Sequence, residues 1–174
     1  MKRFALRLTI LFFVSFSAVS QQVESLKIEW PEEYKLKVGS DQQVDKVHMV
    51  ELIPANETLQ NWTLMGNTMS LQGAQSAPME VVMNLMIEQA KVNSDNVKLT
   101  LVEKGESIDR PWILFKIEAS SFKNDKKPES QLYYITAGKT ALFTNFIAVR
   151  EAKLKQKFVE KWSKVFKESE LVME

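Results

Sequence analysis

The pattern of apolar and polar positions predicts short strands in the first part of the chain. Residues 26–30 alternate apolar and polar side chains and stop at Pro31, which is typical of a short strand that ends in a turn. Residues 47–53 predict a second strand that ends at Pro54. Residues 62–71 have a weaker pattern, which we interpret as a strand that crosses over at the edge of the sheet.

A first helix is predicted after Ser76 and Pro78, because a serine hydroxyl caps free backbone N–H groups and proline is tolerated in a first helical turn. The predicted helix is amphipathic and about three turns long. Its apolar side carries Met79, Val82, Met83, Met86 and Ala90. Such a stripe is typical of a core, and the alternative is an adaptable methionine surface that binds varied partners.

The second half of the chain predicts an antiparallel run of four strands at residues 97–102, 112–119, 132–137 and 140–149. The last strand is apolar on both sides, which predicts that both of its faces are buried. A second helix follows Glu151, and its apolar stripe consists of Leu154, Phe158, Trp162, Val165 and Phe166. These elements predict an α+β fold in which an antiparallel β-sheet is flanked by helices on both faces, an α/β/α sandwich.

Residues 1–20 predict a cleavable secretory signal peptide. Lys2, Arg3 and Arg7 precede an apolar stretch at residues 8–14, and small residues at Ala18 and Ser20 indicate cleavage after Ser20. The apolar stretch is shorter than the roughly 20 residues that a membrane-spanning helix needs. Residues 21–174 contain no repeat or flexible linker and predict a single globular α+β domain. We expect this domain to be exported, to the periplasm or beyond the cell, without stable membrane insertion after cleavage.

Composition and charge exclude several classes of function. Without residues 1–20, the chain keeps 20 basic and 22 acidic side chains, a net charge of −2 that predicts no nucleic-acid partner. The absence of cysteine and the single histidine, His48, predict no metal site and no cofactor. Gly138-Lys139-Thr140 is similar to the end of a phosphate-binding loop, but Tyr133 stands where that motif needs its first glycine, so we expect a hairpin turn.

The candidate binding residues are two arginines and three aromatic residues. Arg110 and Arg150 are the arginines that remain after residue 20, and each stands beside the end of a predicted strand. A guanidinium suits a planar anionic ligand and equally suits an internal carboxylate, and the sequence leaves both alternatives open. The aromatic candidates Trp112, Tyr133 and Tyr134 lie on neighbouring predicted strands and would mark a contact surface if they are exposed. No catalytic residue is predicted.

The order of elements resembles the Mog1/PsbP-like superfamily, in particular its exported bacterial members. The similarity lies first in residues 28–34, where Trp30-Pro31 is followed by Tyr34. It continues in Glu57 and Trp62, which precede the crossover segment. It ends in the closing strand and helix from Thr140 to Phe166. Members of that superfamily are mostly small, non-enzymatic accessory proteins that bind other proteins. The resemblance therefore implies a binding module, and it assigns no functional residue.

These observations together predict a non-catalytic exported accessory module, bacterial and monomeric, that engages a protein partner. The first alternative is a periplasmic carrier of a small anionic ligand or a lipid, which would use Arg110 or Arg150 with neighbouring aromatic residues. The weaker alternative is a hydrolase, whose mark would be a pocket that gathers two or more titratable groups.

Overall fold

The structure, a computed structural model, describes residues 23–107, 110–123 and 126–173. The strands are β1 Glu24–Lys27, β2 Leu36–Val44, β3 Val47–Pro54, β4 Leu64–Gln72, β5 Val97–Gly105, β6 Trp112–Ala119, β7 Glu129–Ala137, β8 Ala141–Val149 and β9 Glu170–Met173. The helices are α1 Met79–Asn93 and α2 Gln156–Lys167, and a 3-10 turn spans Glu32–Tyr34. The predicted signal peptide at residues 1–20 lies outside the described residues, in which no helix has the length and apolar character to cross a membrane.

Within the described residues, seven strands form one antiparallel sheet in the order β2-β3-β4-β8-β7-β6-β5, and β1 pairs with β9 in a separate two-stranded sheet. Strands account for 48% of these residues and helices for 20%. The prediction of an α+β fold built as an α/β/α sandwich is therefore wrong, because the protein is mostly β. Helix α1 packs mainly on β5, β6 and β7, and α2 packs mainly on β7, so β2 and β3 extend beyond both helices.

Helix α1 packs on one face of the sheet through the stripe that its sequence predicts. Met79 and Val82 are buried, while Met83, Met86 and Ala90 are half-buried against the same apolar cluster. The helix begins one residue after Pro78 and runs to Asn93, which makes it longer than expected. Its second half forms one wall of the cavity described below.

Helix α2 packs on the opposite face, as its apolar stripe predicts. Trp162 and Phe166 are fully buried, and Leu154 is buried beside them. The Trp162 ring lies 5.7 Å from the Trp30 ring, 5.3 Å from Tyr34 and 6.0 Å from Phe166, measured between centroids. Such tilted aromatic contacts add to the free energy gained from area burial. This aromatic cluster fixes the segment after β1 and helix α2 to the sheet.

Several strand predictions differ from the structure. Residues 62–71, expected to cross at the edge of the sheet, contain β4, which lies inside it between β3 and β8. Strands β2 and β9 are not predicted by the sequence pattern. Burial on both faces of β8 is confirmed, since seven of its nine residues from Ala141 are buried and the other two are half-buried.

Ser76 does not cap helix α1. The residue at the N-cap position is Pro78, and no side chain donates or accepts a capping hydrogen bond there. We therefore expect Ser76→Ala to change the free energy of unfolding by less than about 0.5 kcal/mol, the range of neutral surface substitutions. Urea unfolding followed by circular dichroism measures this change. A loss of about 1 kcal/mol, the typical effect of removing a serine cap, would show that Ser76 caps the helix.

The turn between β7 and β8 binds the side chain of Glu24 from the start of β1. The Glu24 carboxylate accepts hydrogen bonds from the backbone N–H of Lys139 at 2.9 Å, from the backbone N–H of Thr140 at 2.8 Å and from the Thr140 hydroxyl at 3.0 Å. Burial raises the pKa of this carboxyl, but these hydrogen bonds outweigh burial and hold the pKa below its usual range. The segment that is similar to a phosphate-binding loop is a hairpin turn whose anion is a carboxylate of the same chain.

Candidate functional site

An open cavity of about 320 Å³ lies between the second half of helix α1 and strands β3, β4, β7 and β8, and we call it the α1 groove. Its volume falls at the low end of the range of about 300–1,000 Å³ that is typical of ligand sites. The apolar side chains of its walls include Met49, Met69, Met86, Tyr133 and Phe146. Its polar lining includes Glu51, Asn67, Glu129, Gln131 and Thr144.

The strand register brings these side chains to one face of the sheet. Glu51 of β3 lies opposite Asn67 of β4, and Met69 of β4 lies opposite Thr144 of β8. Alternate residues of a strand point to the same face, so positions 49 and 51, 67 and 69, and 144 and 146 all point towards α1. Residues from distant parts of the chain therefore meet at the floor of the groove.

The floor of the groove contains polar side chains that are buried without hydrogen bonds. Asn67 and Thr144 are each 5% exposed. Neither side chain forms a hydrogen bond with another residue in the described parts of the chain. Their polar atoms are not among the fully buried side-chain atoms that lack a partner, so they lie at the surface of the cavity. Because both residues line an open cavity, a ligand group that enters it can supply the missing partner.

Two carboxylates line the groove, and their surroundings differ. Glu129 accepts a hydrogen bond from Gln131 Nε2 at 2.7 Å and an ion-pair contact from Arg150 Nη1 at 3.1 Å. Glu51 is half-buried and has no ion pair or hydrogen-bonded side chain within the described residues. Among the residues that the structure describes, no lysine, arginine or histidine lines the groove. Glu51 therefore supplies a negative charge that nothing in the described chain neutralises.

Tyr133 lies deep in the wall of the groove. Its ring stacks on Phe115 with a centroid distance of 5.0 Å and contacts Phe146 at 5.1 Å. Burial raises the pKa of the Tyr133 hydroxyl, and the negative charge of Glu129 raises it further, so the group stays protonated at neutral pH.

The five candidate binding residues do not form one site. Arg110, Trp112 and Tyr134 lie together on the face that α2 covers. The Arg110 guanidinium donates hydrogen bonds to the Ser169 carbonyl at 2.7 Å, to the Ser169 hydroxyl at 2.9 Å and to the Tyr134 hydroxyl at 3.3 Å. The rings of Trp112 and Tyr134 lie 6.0 Å apart, and Tyr134 is 1% exposed. These contacts join β6 and β7 to the end of α2.

Tyr133 and Arg150 lie elsewhere. Tyr133 points to the α1 face and is 9% exposed. The Arg150 guanidinium lies 4.0 Å from the centroid of the Trp62 ring and contacts Glu129. The sequence leaves open whether each arginine binds a ligand or an internal carboxylate. For Arg150, the structure shows an internal carboxylate, that of Glu129.

His48 lies on the other face of the sheet from the groove, because it alternates with Met49 along β3. Its Nε2 lies 2.8 Å from a carboxylate oxygen of Asp41, and both side chains are exposed. Within the described chain, no group of three His, Cys, Asp or Glu side chains is arranged to hold a metal ion.

The sequence analysis missed Glu51, Asn67 and Thr144. A signal was present for two of them, since Glu51 and Thr144 are polar residues inside strands that are otherwise largely apolar. Asn67 stands among Gly66, Thr68 and Ser70 and gives no such signal. Polar residues at such positions are unusual unless they find a partner. What the sequence does not contain is the strand register that places the three together.

The comparisons with known proteins assign no family to this chain. No model of a known protein family matches it, and no curated protein is similar to it.

Proposed function

We propose that this chain is an exported, non-catalytic accessory module that binds a segment of a protein partner in the α1 groove. The observation that carries the proposal is the groove itself: an open cavity with apolar walls and a polar floor on which Asn67 and Thr144 have no hydrogen-bond partner among the described residues. Methionines at positions 49, 69 and 86 give the walls an adaptable surface, which is typical of protein-binding grooves.

The chemistry of the lining suits a peptide. The amide side chains of Asn67, Gln89, Asn93 and Gln131 offer both hydrogen-bond donors and acceptors, as a bound backbone requires. The volume of about 320 Å³ accommodates a few side chains and is small for the acyl chains of a lipid. These features favour a protein segment over a lipid, which is the ligand in the alternative hypothesis.

An anionic ligand is disfavoured by charge. The described lining of the groove includes the carboxylates of Glu51 and Glu129 and contains no cationic side chain. The arginines on which the carrier hypothesis depends already bind groups of the same chain, Arg110 at Ser169 and Arg150 at Glu129.

The groove gathers the titratable groups that a hydrolase would need, so that alternative requires a separate comparison. Acid–base catalysis needs one group that donates a proton and another that accepts it. Glu129 contacts the Arg150 guanidinium at 3.1 Å, and burial raises the pKa of the Tyr133 hydroxyl, which makes it a poor proton donor. Glu51 therefore has no proton-donating partner among these groups, which supports a binding role.

Export is part of the proposal, and its support is the pattern of residues 1–20. Basic residues at Lys2, Arg3 and Arg7 precede an apolar stretch and small residues before Gln21. In this location a binding module meets partners of the periplasm or the cell exterior.

A site-specific photo-crosslinker tests the proposal. We expect a benzophenone side chain at Gln89, on the rim of the groove, to cross-link one discrete partner in the native exported fraction. The same group at Val92, which is 70% exposed and outside the groove, is the matched control on the same helix and should give no such product. Cross-linking that is absent from both positions, or equal at both, would contradict a partner in the groove.

A further inference from the structure

We infer that the α1 groove binds a basic side chain, lysine or arginine, of the partner segment, with Glu51 as its counter-ion and Asn67 and Thr144 as further hydrogen-bond acceptors. This inference rests on the proposed function, because it names the chemistry that the same groove selects. It assigns roles to three residues that come from three different strands, β3, β4 and β8.

The polar floor of the groove presents hydrogen-bond acceptors. An ionised carboxylate only accepts hydrogen bonds, and the Asn67 carbonyl oxygen and the Thr144 hydroxyl oxygen also accept them. Both of these residues are 5% exposed and lack partners among the described residues. An ammonium group brings three donors and a guanidinium brings five, so a basic head group can pair with the Glu51 carboxylate and donate to Asn67, its neighbour on β4. The Thr144 hydroxyl on β8 is open to another donor of the partner segment.

Charge complementarity favours the same occupant. Glu51 lies half-buried with no ion-pair partner in the described parts of the chain, while the second carboxylate, Glu129, forms an ion pair with Arg150. Hydrogen bonds between charged partners are roughly twice as strong as those between neutral groups. A ligand that brings a positive charge to Glu51 therefore gains more than a neutral ligand of the same shape.

The walls suit the rest of a basic side chain. Lysine and arginine carry apolar stems that pack along apolar surface while the charged head reaches a polar group. Met49, Met69 and Phe146 provide this surface around the polar floor, and the stacked ring of Tyr133 adds an aromatic wall. An aromatic face also attracts a nearby cation.

Competing occupants leave the floor unsatisfied. A purely apolar side chain would cover Asn67 and Thr144 without giving them hydrogen bonds, and would bury the Glu51 charge unpaired. An acidic side chain would add a like charge beside Glu51. The polar floor thus selects for charge, whereas the walls select for apolar stems.

Titration calorimetry with short peptides tests this inference. The probes are the peptide acetyl-Gly-Leu-Lys-Leu-Gly-amide and its analogue in which norleucine replaces lysine, each added to the full mature chain. We expect the lysine peptide to bind at least tenfold more tightly than the norleucine peptide. Glu51→Gln should abolish that preference, whereas Glu32→Gln, which removes an equal charge from an exposed position, should leave it unchanged.

A second variant and a second readout separate binding from folding. Thr144→Val keeps the shape of the side chain and is expected to weaken binding of the lysine peptide severalfold, with an unchanged circular dichroism spectrum. Backbone amide signals of Glu51, Asn67 and Thr144 should shift in nuclear magnetic resonance spectra when the lysine peptide is added.

The outcomes distinguish the inference from the proposed function. Three outcomes would overturn the inference that the groove binds a basic side chain. They are equal affinity for the two peptides, a preference for lysine that survives Glu51→Gln, and no binding of the lysine peptide. If the Gln89 cross-link is still formed in that case, the proposed function stands without it. Tighter binding of free 1,5-diaminopentane than of the lysine peptide would also overturn it, because the ligand would then be a free amine instead of a protein segment.

Discussion

Trp162→Ala is expected to lower the free energy of unfolding by about 3–5 kcal/mol, the range for removing a large aromatic side chain from a core. Trp162 is fully buried, and its ring contacts Trp30, Tyr34 and Phe166. Its loss leaves a cavity between α2 and the sheet and releases the segment after β1. Urea unfolding followed by far-ultraviolet circular dichroism measures the change as a shift of the midpoint.

Two variants serve as controls for this prediction. Trp112→Ala removes the same side chain from a half-buried position near the end of α2 and should cost less than Trp162→Ala. Trp162→Phe should also cost less, because the buried Nε1 of Trp162 has no acceptor among the described residues and phenylalanine loses no hydrogen bond there. A greater loss from Trp112→Ala would show that the aromatic cluster is not centred on Trp162.

The sequence predicts those elements whose burial leaves a pattern of apolar residues. Helix α2 and the apolar face of α1 show a helical period, and strand β8 shows a continuous apolar run because both of its faces are buried. The same reasoning fails for β2. Val38 is 58% exposed and Val44 is 70% exposed, and the strand has a bulge between Val38 and Ser40, so no face of it is apolar. It is held by backbone pairing with β3, which leaves little trace in the sequence.

The fold class was wrong for a related reason. Two amphipathic helices indicate that both faces of the sheet have apolar surface, but not how much of the sheet each helix covers. The sheet is broader than predicted because β2 is part of it and because β4 lies inside it, and both features depend on pairing between strands. That breadth is what leaves space beside α1 for the groove.

The candidate site shows that residue types alone do not locate a site when the register of the strands is unknown. Arginine is the residue that best suits an anionic ligand, so Arg110 and Arg150 are prominent in the sequence. The structure places Arg110 on Ser169 and Arg150 on Glu129. The polar groups that face the groove without a partner in the described chain belong instead to Glu51, Asn67 and Thr144. Nothing marks these residues as a group until the β3-β4-β8 register brings them to one cavity floor.

Glu24→Gln is expected to lower the free energy of unfolding at pH 7 by about 1–3 kcal/mol, the cost of leaving buried hydrogen-bond donors without a charged acceptor. Lys139 and Thr140 donate three hydrogen bonds to the Glu24 carboxylate, and the amide of glutamine turns a donor towards one of these groups. Because the bonds hold the pKa of Glu24 below 4.5 in the folded state, its contribution is complete above that pH and is lost as the pH falls through the folded value. The difference between wild type and variant should therefore shrink in acid.

Gly138 provides an independent check on the same contact. A Cβ at position 138 would clash with the Glu24 carboxylate, so Gly138→Ala must displace the carboxylate. We expect Gly138→Ala to be destabilising in the wild type and nearly neutral in the Glu24→Ala background, because the contact can be lost only once. Glu32→Gln is the control for pH dependence. Its free energy of unfolding should differ from that of the wild type by an amount that does not follow the pH dependence expected for Glu24→Gln. Additive effects of the Gly138 and Glu24 substitutions would mean that the turn is stable without its carboxylate.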